Sequence, residues 1–159
     1  MDHEDRDLQH ENVLVRRLLA ADLEAVIRLD AKITGRQREE YFKLKLKENL
    51  AETGIKISLA AELDGGFVGY LLARVYYGEF GMMEPAAVLD TIGVHPDFQH
   101  RGVGAALLQQ VCMDLGGLGV GRLQTEVNWE DSKVLAFFQH EGFQPAPRLC
   151  LDLELPRLR

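Results

Sequence analysis

Cysteine is scarce in this sequence. The only two, Cys112 and Cys150, fall in a helical and a strand pattern without metal-type spacing, so nothing suggests a disulfide framework or a zinc site. Both are expected to be buried free thiols, since a free cysteine behaves as a small apolar residue. Long hydrophobic runs are missing as well. Every apolar stretch is broken by charge well short of the ~20 residues a membrane span needs. The first ten residues are polar rather than signal-like. A cytoplasmic chain without a membrane partner is the expectation. Positive charge is in deficit too, with 18 Lys and Arg against 25 Asp and Glu and a net charge of −7. That balance disfavours nucleic acid and weakly favours a cationic or amine partner. His95 and His140 have no Cys or second His at ligand spacing, so they read as exposed turn or helix-end residues, and no metal is expected.

What is present suits one domain: 159 residues, of which 47% are hydrophobic, can bury a core unaided. Residues 1–11 carry charge without apolar periodicity and read as a flexible tail, leaving 12–159 as the folded domain. Asn12 to Leu18 alternates as a strand, and Leu23, Val26 and Ile27 fall at helical spacing within Ala21 to Leu29. Arg36 to Glu52 reads as a second helix closed by Gly54. Ile55 to Leu63 and Phe67 to Tyr77 read as a hairpin joined at Asp64-Gly65-Gly66, followed by a loop from Gly78 to Pro85. Ala87 to Val94 is a nearly continuous apolar strand, and Val103 to Leu115 is a helix that Gly116-Gly117 should end. Arg122 to Val127 forms the next strand, and a helix capped by Asp131 or Ser132 runs to just before Gly142. Two last strands are expected, from Phe143 onward and over Leu149 to Leu155. The order predicts an α/β (α+β) domain without internal repeats.

Between the apolar strand and its helix lies Gln99-His100-Arg101-Gly102-Val103-Gly104. A strand, a glycine turn and a helix in succession set backbone N–H groups at a positive helix end, which suits a phosphate or pyrophosphate. Gly102 and Gly104 allow close approach and unusual dihedrals, and Arg101 can add a charge-assisted contact. No Walker lysine and no six-residue glycine fingerprint accompany the turn, so nucleotide hydrolysis and hydride transfer fit poorly. Taken alone, the turn is equally compatible with a plain tight turn beside a helix start, and an anion-binding domain of unrelated function is a further reading.

Leu89 to Leu108, with Gln99, Gly102 and Gly104 at the spacing Gln-x-x-Gly-x-Gly, resembles the acetyl-coenzyme A signature of the GNAT superfamily of N-acetyltransferases. Glu126-Val127 and the helical stretch from Val134 to Phe143, ending in Phe137-Phe138 and Gly142-Phe143, resemble that family's last strand and helix. The resemblance extends over about residues 12–155 and includes a similarity to ribosomal-protein alanine acetyltransferase-type members. It implies a single domain with a central mixed, mostly antiparallel sheet, splayed at the cofactor site and flanked by about four helices.

It also implies chemistry. Acetyl-CoA would be the cosubstrate, bound by Ile92, Gly93, Val94, Gln99, His100, Arg101, Gly102, Val103, Gly104, Ala105, Val127, Asn128, Asp131 and Phe138. The Ile92 N–H would face the thioester carbonyl as an oxyanion donor. The acceptor would be a primary amine on a small molecule, protein or peptide. An amine must lose a proton before it can attack, so a carboxylate is needed. Glu126 matches the strand glutamate that serves as base in the alanine acetyltransferases, and Asp90, two residues before Ile92 and therefore expected on its strand face, is the other candidate. Phe138 stands where relatives commonly carry a proton-donating tyrosine; Tyr76 or Tyr77 could substitute, though both also suit strand packing. Without that donor, a weakly catalytic acyl-CoA sensor is the alternative. A homodimer is also compatible with the family.

Overall fold

The computed structural model of the protein describes residues 12–50 and 55–158. The tail expected over 1–11 and the helix end expected at Glu52 and Gly54 lie outside the described residues. The chain divides into two compact units, Met1–Glu126 and Val127–Arg159. The first contains β1 (Val13–Arg17), α1 (Leu23–Thr34), α2 (Glu39–Leu50), β2 (Lys56–Leu63), β3 (Gly66–Tyr76), β4 (Ala86–Val94), α3 (Val103–Gly117) and β5 (Leu123–Gln124). The second contains α4 (Ser132–His140). The sheet has the order β1-β2-β3-β4-β5. Every pairing is antiparallel except the parallel β4–β5 pair. This is the open, mixed, mostly antiparallel sheet with four helices that the sequence implies.

Local chemistry accounts for the elements. At the corner between β1 and α1, Asp22 accepts the Leu19 N–H at 2.7 Å and both Arg16 Nη atoms at 2.8 Å. Gly35, at φ 72°, ends α1 in the left-handed region that glycine enters without a Cβ penalty. Asp64 and Gly65, at φ 52° and 80°, make the two-residue loop that joins β2 to β3 and matches the sheet's twist. β3 is buried along most of its length and separates two apolar layers. On one face, Leu18, Val26, Leu29, Phe42, Leu46, Ala60, Tyr70 and Leu72 form a cluster beneath α1 and α2. On the other, α3 buries Val103, Leu107, Leu108, Val111 and Leu115. A Cβ on Gly69 would stand 2.9 Å from Val103 Cγ1, so this glycine lets the first turn of α3 close onto β3.

Several expectations are corrected. Neither strand expected after Phe143 forms among the described residues, and the one expected over Arg122 to Val127 shrinks to Leu123–Gln124. A strand needs a ladder partner as well as an alternating pattern; here Thr125 holds β4 through its side chain, its Oγ1 donating to the Leu89 carbonyl at 3.0 Å. Pro145, Pro147 and Pro156 also remove backbone donors from the late segment. Cys112 and Cys150 are exposed rather than buried: Cys112 is not among the buried residues of α3, and Cys150 lies in a segment that forms no strand. α3 runs through Gly117, and the left-handed turn falls at Gly119, φ 75°.

Candidate active site

The outer edge of β4 is where the sheet opens. β5 pairs with it only at Ala87 and Val88. Beyond those residues no strand among the described residues pairs with that edge. The His95 N–H donates to the Val68 carbonyl at 2.8 Å across the β3–β4 pair. Antiparallel ladders alternate, so the opposed pairs Gly93–Tyr70 and Thr91–Leu72 also bond inward, and the N–H and C=O groups of Ile92 and Val94 point out to the open edge. The backbone groups of Ile92 and Val94, two of the residues that the resemblance assigns to acetyl-CoA, therefore face an edge that no strand among the described residues fills.

A bulge sets this phase. Leu72 pairs with Thr91 and Ala73 with Leu89, which leaves Asp90 as the extra residue of β4. The bulge corrects the expectation that Asp90 shares a face with Ile92. Ile92 lies opposite Leu71, on the face that carries Gly69 and α3. The Asp90 carboxylate instead sits 3.9 Å from Lys45 Nζ of α2 and 3.9 Å from Arg74 Nε, on the opposite face. Gly93 is held open by Tyr70: a Cβ there would lie 2.5 Å from Tyr70 Cε1 and 2.8 Å from Cζ.

β4 leads into the glycine turn. His100 and Gly102 adopt left-handed φ of 64° and 82°. The unusual dihedral expected at Gly104 is therefore found at His100, while Gly104 is the buried second residue of α3. No side chain caps the start of α3, and its first turn contains no acidic residue. The leading N–H groups, from Val103, Gly104 and Ala105, thus have no competing carboxylate at the positive end of the helix. Gln99, His100 and Arg101 are exposed around them. The Arg101 guanidinium stands 5.5 Å from the centre of the Phe98 ring.

Glu126, just past β5, is exposed and ends the first unit. Tyr76 is buried and its hydroxyl bonds Gln124, so it ties β3 to β5, whereas Tyr77 is 60% exposed at the start of the following loop. His95 is not the exposed turn residue expected. It is half-buried, its Nδ1 accepts the Asp97 N–H at 3.1 Å, and its Nε2 lies 3.2 Å from Lys32 Nζ. His140, the last residue of α4, is exposed as expected. No cluster of three or more His, Cys, Asp or Glu able to hold a metal occurs among the described residues.

In the second unit, Asp131 caps α4, its Oδ1 accepting the Val134 N–H at 3.1 Å. Asn128 is exposed, Val127 half-buried, and Asn128 Oδ1 accepts the Glu130 N–H at 3.1 Å. Phe138 is buried and packs against Phe137 and Phe143, with ring centres 5.3 and 4.9 Å away.

One cluster escaped the sequence reading. Asp30, only 2% exposed, lies on the buried face of α1 and receives Arg38 Nε at 2.9 Å and Nη2 at 2.5 Å. The Tyr70 hydroxyl donates to Asp30 at 3.4 Å, and burial, followed by the Asp30 charge, pushes the Tyr70 phenol well above its usual range. The cluster fastens the link between α1 and α2 to the ring that lies against Gly93. Its signal is a carboxylate four residues after Val26, on an otherwise apolar helix face.

The model of the acetyltransferase (GNAT) family matches residues 23–143. Among solved structures, the chain resembles the aminoglycoside N-acetyltransferase AAC(6')-Iy in complex with CoA, at 21% identity and TM-score 0.76, over 89% of this chain and 94% of that one. It resembles the aminoglycoside 6'-N-acetyltransferase AAC(6')-Ih from Acinetobacter baumannii at 16% identity and TM-score 0.77, over 91% and 99%. It also resembles the ribosomal-protein-alanine N-acetyltransferase from Brucella melitensis biovar Abortus 2308 at 17% identity and TM-score 0.72, over 91% and 99%.

Proposed function

Since the chain belongs to the acetyltransferase (GNAT) family, an enzyme family that uses acetyl-CoA, we propose that it moves the acetyl group of that cosubstrate to a primary amine by direct attack. The observation that carries the reading is a juxtaposition. The outward backbone groups of Ile92 and Val94 run directly into a turn whose helix end has no side-chain cap. An extended amide chain suits the first and a pyrophosphate the second.

Acetyl-CoA supplies the activated acetyl thioester. The N–H groups of Val103, Gly104 and Ala105 hold its phosphates, with Gln99, His100 and Arg101 around them and Gly102 allowing the turn. Ile92 and Val94 extend the ladder along its pantetheine arm, with Gly93 between them packed on Tyr70. The Ile92 N–H donates to the oxygen on which charge develops during attack, a role of the oxyanion-hole type. The acceptor amine gives up its proton to a carboxylate. The base in this reading is Glu126, exposed just past β5, with Asp90, 3.9 Å from Lys45 and Arg74 on the other face of the sheet, as the alternative. With Phe138 buried in packing, Tyr77 is the phenol available to protonate the departing thiolate. Asp131 contributes by fixing the start of α4. The acceptor is a primary amine on a small molecule or a peptide, in keeping with the negative charge of the chain.

Calorimetric titration with coenzyme A, alongside thiol release measured across amines and peptides, tests this reading. Expected are saturable cofactor binding and amine-dependent thiol release. Glu126→Gln should slow turnover at neutral pH and leave coenzyme A affinity unchanged. An unaltered pH–rate profile in that variant would move the base to Asp90. Tight binding without any amine-dependent release would favour the sensor, the reading to which the buried Phe138 points.

A further inference from the structure

The stretch of β4 around Ile92 is held from one side only. β3 pairs with Thr91 and Gly93, while no strand among the described residues pairs with the outer edge there. The bulge residue Asp90 interrupts the ladder just before Thr91. A bulge leaves its extra residue unpaired and disrupts the ladder locally, so backbone pairing alone leaves Ile92 some freedom. What lies beneath the strand must remove it.

Tyr70 lies there. It stands opposite Gly93, and a Cβ on that glycine would fall 2.5, 2.8 and 2.9 Å from its Cε1, Cζ and hydroxyl oxygen, so the hydroxyl end of the ring rests on the glycine backbone. The Thr91 side chain reaches the same hydroxyl. Tyr70 thus engages both neighbours of Ile92, from the face of the sheet opposite α3. The ring is itself pinned. Its hydroxyl donates to Asp30 at 3.4 Å, and its centre lies 5.8 Å from that of Phe42 in an edge-on contact. Asp30 in turn receives Arg38 through Nε at 2.9 Å, and the guanidinium stands 5.0 and 5.4 Å from the ring centres of Tyr41 and Phe42. Apolar side chains could fill this space without the desolvation that a buried carboxylate and its guanidinium must offset. What the polar set adds is direction, because a hydrogen bond fixes an angle as well as a distance.

We propose that Tyr70 is a positioning residue for the Ile92 N–H, with Asp30 and Arg38 fixing the tyrosine. The inference rests on the reading that Ile92 donates to the developing oxyanion. Such a donor works only when it stands about 2.7–3.1 Å from that oxygen, and its support must hold it to within about 0.5 Å. The ring sets the height of the Thr91–Gly93 backbone, and the Asp30 hydrogen bond sets the tilt of the ring.

Tyr70→Phe keeps the ring and removes the hydroxyl. A misplacement of about 1 Å costs about 100-fold in rate, so this smaller loss of control should lower kcat for amine acetylation about tenfold and leave KM for acetyl-CoA within about twofold. A control separates positioning from general softening. Leu18→Ala, in the same apolar layer but beside β1 at the far end of the sheet, should lose more stability in urea and keep kcat within about twofold of wild type. An unchanged kcat in Tyr70→Phe, or an equal fall in Leu18→Ala, overturns the proposal. Hydrogen exchange on the cofactor-free chain gives a second measure that needs no turnover. In Tyr70→Phe the Thr91 and Gly93 amides should exchange about tenfold faster while the amides of α3 keep their rates. Unchanged exchange at both positions overturns the proposal whatever the activity. A wild type that releases no thiol with any amine ends the acetyl-transfer reading instead, and the exchange rates then still decide whether Tyr70 holds this stretch.

Discussion

Replacing Gly93 with alanine probes the wall on which the open edge of β4 rests. A Cβ at this position would stand 2.5, 2.8 and 2.9 Å from Tyr70 Cε1, Cζ and the hydroxyl oxygen. Carbon atoms settle at ~3.5–4.0 Å, so the overlap approaches ~1 Å at the nearest atom. The ring has little room to retreat. Tyr70 is 1% exposed, its ring centre lies 5.8 Å from that of Phe42, and its hydroxyl is held 3.4 Å from Asp30. Overpacking of this kind costs about 1–3 kcal/mol. Gly93 is not among the positive-φ residues, so alanine fits the backbone and gains about 0.4–1 kcal/mol from the stiffer unfolded chain. The net expectation is a loss of about 1–2 kcal/mol in urea unfolding, with an unchanged denaturant slope. Because any yielding must move β4, the KM for acetyl-CoA should rise as well. In a Tyr70→Leu background the same Gly93→Ala change should cost under about 0.5 kcal/mol, since the clashing atoms are gone. A Gly93→Ala protein as stable as the wild type, or an equal loss in both backgrounds, would refute the reasoning.

Two further predictions concern the ion pairs beside the site. Arg38→Ala strands the buried Asp30 carboxylate without its cation and should destabilise the protein by about 3 kcal/mol, at the low end for such losses because Arg38 itself is 38% exposed. Adding Asp30→Asn to that variant should restore part of the loss in the same unfolding assay; no recovery would show that the charge is not what costs. For acid sensitivity, the Arg16 hydrogen bond holds the Asp22 carboxyl below its usual range. A depressed carboxyl stabilises the fold above its unfolded pKa of about 3.9 and loses that contribution as pH falls through the folded value. Denaturation midpoints should therefore drop below pH ~4, and Asp22→Asn should flatten that acid limb.

Much of the fold was legible because it rests on local pattern. Leu107, Val111 and Leu115 announce a helix face, Asp64-Gly65 announces a hairpin, and Gly102 and Gly104 announce the turn into α3 within a few residues of one another. Asp131 was also readable as a helix cap, and the structure gives it that bond. The carboxylates at the site were not legible in the same way. Strict alternation sets Asp90 beside Ile92, but one bulge residue turns it toward Lys45 and Arg74, and no periodicity in β4 reveals where a ladder slips. Asp30 and Tyr70 are 40 residues apart and meet only across packed layers.

The sequence by itself determined the element order, the helix and turn chemistry and the family, since each depends on contacts within a few residues along the chain. Only the tertiary structure decided which backbone groups of β4 face outward, which side of the sheet Asp90 occupies, and that Leu149 to Leu155 form no strand. Those outcomes depend on a partner strand's register or presence, and that information lies elsewhere in the chain.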